Sequence, residues 1–376
     1  MTNKKHKVAI IGCGRMGQHY AQAYRAYPDT EIVGIVEHNP DRRKAVGERF
    51  EIQNLYANTE ELLNDIVPDI AAIITPSKFY KDAVLACADA GVKGISTDKP
   101  IAAKLSDADL MVEMCKSKGI VLAGGNLQRA MHEIQEAAQR IRDGQYGEIK
   151  GASLNGFGGE ISGGGCQAIS VLRLMTNSEI QEVMCWGTHM DVIKGNADRQ
   201  QAIEMSKAAI NQEEDTGIVI NGRFTMESGI STNVFGTATP YGGVDVWSDS
   251  SLIRWNWGPP QIFQGFDDNG NRIEVETNYK PYEFSEFRYL TGSIRSFIKA
   301  IDTGSEPWIT GHDLRQALEV AIASKLSAQL GSVPVKLPLA DRSHSLLPRP
   351  YRWIGGDETG RYQSVDEARQ EIPDTN

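Results

Sequence analysis

The chain is poor in cysteine and histidine, with 5 and 7 among its 376 residues. The cysteines (Cys13, Cys87, Cys115, Cys166 and Cys185) are odd in number and show no Cys-x-x-Cys spacing. That argues against a disulfide framework and a cysteine zinc site, and predicts free thiols in a reducing compartment. No metal site is expected. Long apolar runs are missing too: none reaches the roughly 20 residues that a membrane helix needs. The short, mostly polar opening before Val8 leaves no room for a secretory leader, so a cytoplasmic location is expected. Excess positive charge is also lacking. Lys and Arg number 39 against 49 Asp and Glu, for a net charge of −10. A surface of that sign disfavours nucleic acid and anionic membranes as partners. Neither an internal repeat nor a low-complexity segment occurs.

What is present is an ordinary globular composition, 40% hydrophobic and 23% charged, at a length that suggests two domains. The opening carries the strongest signal. Val8-Ala9-Ile10-Ile11 runs into Gly12-Cys13-Gly14-Arg15-Met16-Gly17, and a helical pattern follows. A buried strand, a Gly-x-Gly-x-x-Gly turn and a helix N-terminus make a pyrophosphate site. Gly12 allows the turn, Gly14 admits phosphate to the backbone, and Gly17 lets the helix pack on the strand. Arg15 and Met16 lie in the same loop. A second apolar run, 32–36, ends in Glu37, placed to hold the adenosine ribose hydroxyls. Glu37 would repel a 2′-phosphate, which favours NAD; Arg42 and Arg43 keep NADP as the alternative.

Strand patterns at 8–11, 32–36, 70–74, 94–97 and 120–123 alternate with helical ones. This predicts a doubly wound parallel sheet over residues 1–125. Ser106 is placed to cap the helix expected at 107–117, with Asp109 three residues later. From 126 to 340 longer strand patterns predict an α/β domain with a mostly antiparallel sheet. Late helices are expected at 285–302 and 313–330, able to pack back on the first domain. Residues 341–376, rich in Pro, Gly and charge, read as a C-terminal arm.

Ligands of such sheets sit beyond the carboxyl ends of the strands. There the sequence places Thr75 and Pro76, followed by Tyr80; Asp98-Lys99-Pro100; and Asn126, Gln128 and Arg129. Lys99 could bond a substrate hydroxyl and accept its proton, if burial and a cationic ring nearby lower its pKa. Its bland alternative is a solvated lysine bonded to a carboxylate. Aromatic residues Tyr241, Trp247, Trp255 and Trp257 suit sugar faces, but sheet packing or a subunit interface is the simpler reading.

Together these motifs resemble the Gfo/Idh/MocA oxidoreductases, the glucose-fructose oxidoreductase and inositol dehydrogenase group, over roughly residues 6–340. The group's Glu-Lys-Pro signature stands here as Asp98-Lys99-Pro100. The resemblance implies an NAD-binding Rossmann domain and a second domain that binds substrate and forms homodimers or homotetramers through its sheet. It implies hydride transfer at a ring hydroxyl or keto carbon of a sugar, glycoside, cyclitol or sugar acid. It implies cofactor contacts at Gly12, Gly14, Arg15, Met16, Gly17, Glu37, Thr75, Pro76, Asp98, Lys99 and Asn126. Substrate contacts are implied at Lys99, Gln128, Arg129, Gly165, Cys166 and Gln167.

One motif departs from the group. Its Asp-x-Gly-x-His-x-x-Asp pattern reads Gly163-Gly164-Gly165-Cys166-Gln167-Ala168-Ile169-Ser170 here. Gln167 holds a hydroxyl but exchanges no proton near neutral pH. Lys99 could then act alone with Gln167 and Tyr80 orienting the ring. Another group, Tyr80, His132, His189 or Cys166, could have taken over, or activity could be lost. An NAD-dependent glycoside hydrolase or lyase without net redox change, and a non-catalytic NAD-binding protein, stand as alternatives.

Overall fold

The computed structural model describes residues 5–125, 127–236, 242–280 and 288–354. They group into two compact units, one within 1–126, 293–312 and 350–376, the other within 127–292 and 313–349.

The first unit alternates strand and helix: β1 His6–Ile11, α1 Arg15–Ala26, β2 Thr30–Val36, α2 Pro40–Phe50, β3 Leu55–Tyr56, α3 Thr59–Asp65, β4 Ile70–Ile73, α4 Tyr80–Asp89, β5 Gly94–Thr97, α5 Leu105–Ser117 and β6 Val121–Gly124. The six strands form one parallel sheet in the order β3-β2-β1-β4-β5-β6. Val8–Ile11 and Ile70–Ile73 are buried along their whole length, as strands covered on both faces must be. Because all strands run the same way, their carboxyl ends share one edge. Helix α5 starts two residues earlier than expected, with Lys104 as its N-cap, so Ser106 lies inside the first turn and is not the cap.

The second unit opens with α6 His132–Arg142, β7 Gly151–Asn155, α7 Gly165–Thr176 and β8 Ile180–His189. A helical excursion follows, α8 Met190–Ile193 and α9 Arg199–Asn211. Then come β9 Ile218–Met226, β10 Ser231–Phe235, β11 Gly243–Trp247, β12 Ser251–Trp255, β13 Gln261–Phe266 and β14 Arg272–Val275. The late region adds α10 Arg288–Thr303, α11 Gly311–Gln329, β15 Val335–Lys336 and α12 Pro350–Trp353. The sheet has nine strands in the order β14-β13-β12-β11-β7-β10-β9-β8-β15. Only β7 and β10 pair in parallel; the other neighbours are antiparallel. All of α7 is buried, as expected of a helix whose residues are nearly all apolar or small.

Helix α10, from Ser293 on, belongs to the first unit. A Cβ on Gly94 would meet the side chains of Ile301 and Phe297, so this helix lies close against β5. Residues 341–349, expected as part of an arm, belong to the second unit, whereas α12 belongs to the first. Residues 355–376 of the expected arm lie outside the described residues. Trp255 is fully buried and packs against the half-exposed Trp257, a sheet-packing role; Tyr241 lies outside the described residues.

Candidate active site

Gly12 follows β1 with φ +100°, where a side chain is strained, and a Cβ there would lie 2.7 Å from the Ile74 carbonyl oxygen. A Cβ on Gly17 would lie 1.9 Å from the Gly12 carbonyl oxygen, so α1 closes onto the turn only without a side chain. Gly14 is the N-cap of α1, without a side-chain cap, and no acid stands in the first turn. First-turn amides have no partners within a helix, so this end suits an anion. Arg15, exposed, and Met16, half-buried, are the first two residues of the helix.

Glu37 follows β2 and is buried. Its Oε2 accepts the Cys13 N–H of the glycine loop at 3.1 Å, and its Oε1 accepts the Asn39 N–H at 2.9 Å. A carboxylate offers about four lone-pair sites, which leaves room for a ribose hydroxyl on Oε2. Arg42 lies 3.6 Å from Glu37 Oε1, and Arg43 donates to the Glu37 carbonyl oxygen at 2.6 Å. Both arginines are thus drawn to Glu37, an arrangement that fits NAD.

Along the same sheet edge, Thr75 follows β4 and Thr97 ends β5. Each has a buried hydroxyl oxygen with no partner among the described residues. Such groups are costly unless satisfied, and a bound polar molecule would satisfy them. Pro76 precedes the single turn Ser77–Phe79, whose Ser77 hydroxyl donates to the Arg352 carbonyl oxygen at 3.1 Å. The residues present therefore fit a dinucleotide.

Asp98, buried after β5, accepts the Lys99 backbone N–H at 2.7 Å, and the Lys99–Pro100 peptide is cis. Lys99 is half-buried. Among the described residues of its unit, no carboxylate lies within ion-pair distance of its ammonium group. The bland reading of Lys99, a charge neutralised by a neighbouring acid, therefore has no support within this unit.

Tyr80 departs from expectation. It is buried, and that burial raises its hydroxyl pKa far above the usual value; Asp98 adds to the rise. Its oxygen takes a hydrogen bond from the Asp98 backbone. Tyr80 thus braces the Asp98-Lys99 turn, and its raised hydroxyl pKa disfavours it as a proton relay. Asn126 lies outside the described residues.

The second unit holds the remaining expected residues. Gln167 is buried on α7, and its Oε1 accepts the Gln128 N–H at 2.7 Å. Gln128 is buried as well, and its Oε1 has no partner among the described residues. Arg129, expected to touch substrate, is held inside its unit: it donates to the Ser170 carbonyl oxygen at 3.1 Å and pairs with Asp313 at 3.3 Å. Asp313 also pairs with Arg173 at 3.1 Å. Gly165 opens α7, where a Cβ would meet the Phe157 ring at 2.7 Å. Cys166 is buried with its thiol 2.7 Å from the Gly163 carbonyl oxygen. His132 pairs with Glu136 one turn on, and His189 caps α8 through Nδ1. These contacts give Cys166 and both histidines structural roles.

Sequence reasoning missed Asp313 and Asp215. Asp215 is fully buried and accepts the N–H groups of Ile161 and Ser162 at 2.9 and 2.6 Å, plus the Ser162 hydroxyl. It follows Glu213 and Glu214, and in sequence that acidic run reads as a solvated surface.

Residues 6–125 match the GFO_IDH_MocA family profile, described as an oxidoreductase family with an NAD-binding Rossmann fold. Over these residues, about a third of its length, the chain is similar to the Gfo/Idh/MocA oxidoreductase family. Relatives in and around this family cover the chain unequally. A D-apiose dehydrogenase of Paraburkholderia graminis is 33% identical over 146 residues, which is 39% of this chain and 39% of that protein. A myo-inositol 2-dehydrogenase of Thermotoga maritima is 22% identical over 339 residues, 86% of this chain and 96% of that protein. Among solved structures, an aldose-aldose oxidoreductase from Caulobacter crescentus complexed with glycerol shares the fold. Its TM-score is 0.70 at 20% identity, covering 89% of this chain and all of that one. The first unit is an NAD-binding Rossmann domain. Among the described residues no helix is long and apolar enough to cross a membrane, and no group of three or more His, Cys, Asp and Glu could hold a metal ion.

Proposed function

We propose that the chain is an NAD-dependent dehydrogenase or ketoreductase of a sugar, glycoside or cyclitol. The observation that carries this is the alignment of chemistry along one sheet edge. The glycine turn follows β1, Thr75 follows β4 and Lys99 follows β5, and these three strands are neighbours in a parallel sheet. Gly12, Gly14, Gly17, Glu37, Thr75 and Thr97 would hold the dinucleotide, whose nicotinamide accepts or returns a hydride when bound. Lys99 would bond the reacting hydroxyl and move its proton at Nζ, which requires the amine in oxidation and the ammonium in reduction. Tyr80 and Asp98 hold the turn that carries it. In the second unit, the buried Gln128 Oε1 suits a hydroxyl donor, and Gln167 fixes the Gln128 backbone. The relatives named as dehydrogenases of inositol, apiose and glucosides support a polyhydroxylated substrate.

The nine-stranded sheet carries exposed Met184, Trp186 and Phe235 on β8 and β10. Large apolar side chains grouped on an open face support self-association through this sheet into a homodimer or homotetramer.

Substitution of Lys99 tests the reading. In Lys99→Met the turnover number should fall about 10²- to 10⁴-fold, the usual contribution of a positioned acid–base group, while NAD affinity stays within about twofold. Undiminished turnover would remove Lys99 from the chemistry.

A further inference from the structure

Helix α12 belongs to the first unit, although the residues just before it, 341–349, belong to the second. It is a single turn, closed by the Ile354 N–H donating to the Pro350 carbonyl oxygen at 2.7 Å. So short a helix is marginal by itself and persists only against a neighbour. Pro350 opens it with φ already set, at a position where no N–H is needed.

That neighbour is the turn after β4. The Ser77 hydroxyl, from a residue only 5% exposed, donates to the Arg352 carbonyl oxygen at 3.1 Å across a sequence separation of 275. The last carbonyls of a helix have no partner within it, so this bond caps α12. Serine in a turn commonly bonds its own local backbone, but here its one donor goes to α12. The Ser77 carbonyl oxygen accepts the Tyr80 N–H at the start of α4, and the Phe79 N–H donates to the Pro76 oxygen at 3.0 Å. A three-residue turn of this kind has poor hydrogen-bond geometry and depends on such support. Arg352 also lies near enough to Tyr80 for its positive charge to oppose the rise in the hydroxyl pKa. Tyr80 in turn takes the Asp98 amide, and the Asp98 carboxylate accepts that of Lys99 at 2.7 Å. The contacts form one path, from α12 through Ser77 and Tyr80 to the turn that carries Lys99. Every member lies in the first unit.

Resting on the dehydrogenase reading, we propose that α12 is a clasp on the reaction edge of the first unit and that Ser77 is a positioning residue for Lys99. Ser77 acts through Tyr80, whose hydroxyl fixes the Asp98-Lys99 turn. Without the clasp that turn samples other positions, and proton transfer depends on close alignment of donor and acceptor. A segment remote in sequence from the glycine turn and from Lys99 thereby sets how well the lysine is held.

Amide exchange and kinetics test this together. In Ser77→Ala the Asp98 and Lys99 amides should exchange about three- to tenfold faster, the net contribution of one hydrogen bond, and turnover should fall by a similar factor. Pro350→Gly changes nothing between residues 75 and 99 and loosens only the start of α12, yet it should produce the same pattern. In the double variant the second substitution should add little, because both break one path. Ser117→Ala, which removes an exposed hydroxyl bond elsewhere in the same unit, should alter neither readout. Unaltered exchange at Asp98 and Lys99 in Ser77→Ala, faster exchange with undiminished turnover, or losses that simply multiply in the double variant would overturn the proposal. Coupled exchange in a wild type that turns over no polyol would instead overturn the dehydrogenase reading, leaving no reaction for the clasp to serve.

Discussion

Individual side chains divide by whether the sequence placed them or the packing did. Lys99 and Glu37 stand at strand ends, so their positions followed from the apolar runs before them. The roles of Tyr80, Arg129 and Cys166 did not, because each depends on a contact with a residue distant in sequence or on the path of a loop. Burial turned Tyr80 from a candidate relay into a brace, and Asp313 turned Arg129 inward. The cysteines show the same effect of cover. Burial pushes the thiol of Cys87 to about 12, with Cys115 adding to it, that of Cys115 to about 11 and that of Cys185 to about 12. A raised thiol pKa means that almost no thiolate is present below pH 9, and the thiolate is the reactive form. Ellman's reagent at pH 8 should therefore leave these three unreacted in the folded protein and titrate all five cysteines in denaturant. Prompt reaction of Cys87, Cys115 or Cys185 in the folded state would contradict the burial.

Strands and helices were legible where burial is one-sided or complete. The apolar runs of β1, β2, β4 and β5 and the stripe along α10 gave their elements within a few residues. Helix α9 was not read, because only Ala209 on it is buried and it carries no apolar stripe. The two residues of β3 are too few to show a pattern, and β13 and β14 are mostly half-exposed or exposed. Register at the glycine turn is the most demanding local feature. In Gly17→Ala the added methyl meets a main-chain oxygen, which cannot swing aside as a side-chain tip would. Helix α1 must then lift from β1, at a cost of about 1–3 kcal/mol by analogy with overpacked cores, and the phosphate-facing amides move with it. The variant should melt at a lower temperature and bind NAD at least about tenfold more weakly. Unaltered NAD affinity by calorimetry would show that the turn tolerates displacement.

For the chain as a whole, the sequence conveyed two folding units and their classes but not how the late segments divide between them. The return of α10 to β5 rests on Gly94, whose missing side chain admits Phe297 and Ile301. A glycine inside a short apolar strand gives no such hint in sequence. Assembly through the nine-stranded sheet predicts that Trp186→Glu lowers the mass measured by light scattering to that of one chain, about 41.3 kDa, while the circular dichroism is kept. An unchanged oligomer would place the contact elsewhere. The central claim is redox chemistry on a polyhydroxylated substrate. Its most direct measurement is the absorbance of reduced nicotinamide after mixing the purified protein with NAD and a panel of inositols, aldoses and glycosides. The account predicts steady accumulation of NADH with at least one member of the panel. Saturable binding of NAD without any reduction across the panel, and without oxidation of NADH by the corresponding ketones, would contradict it.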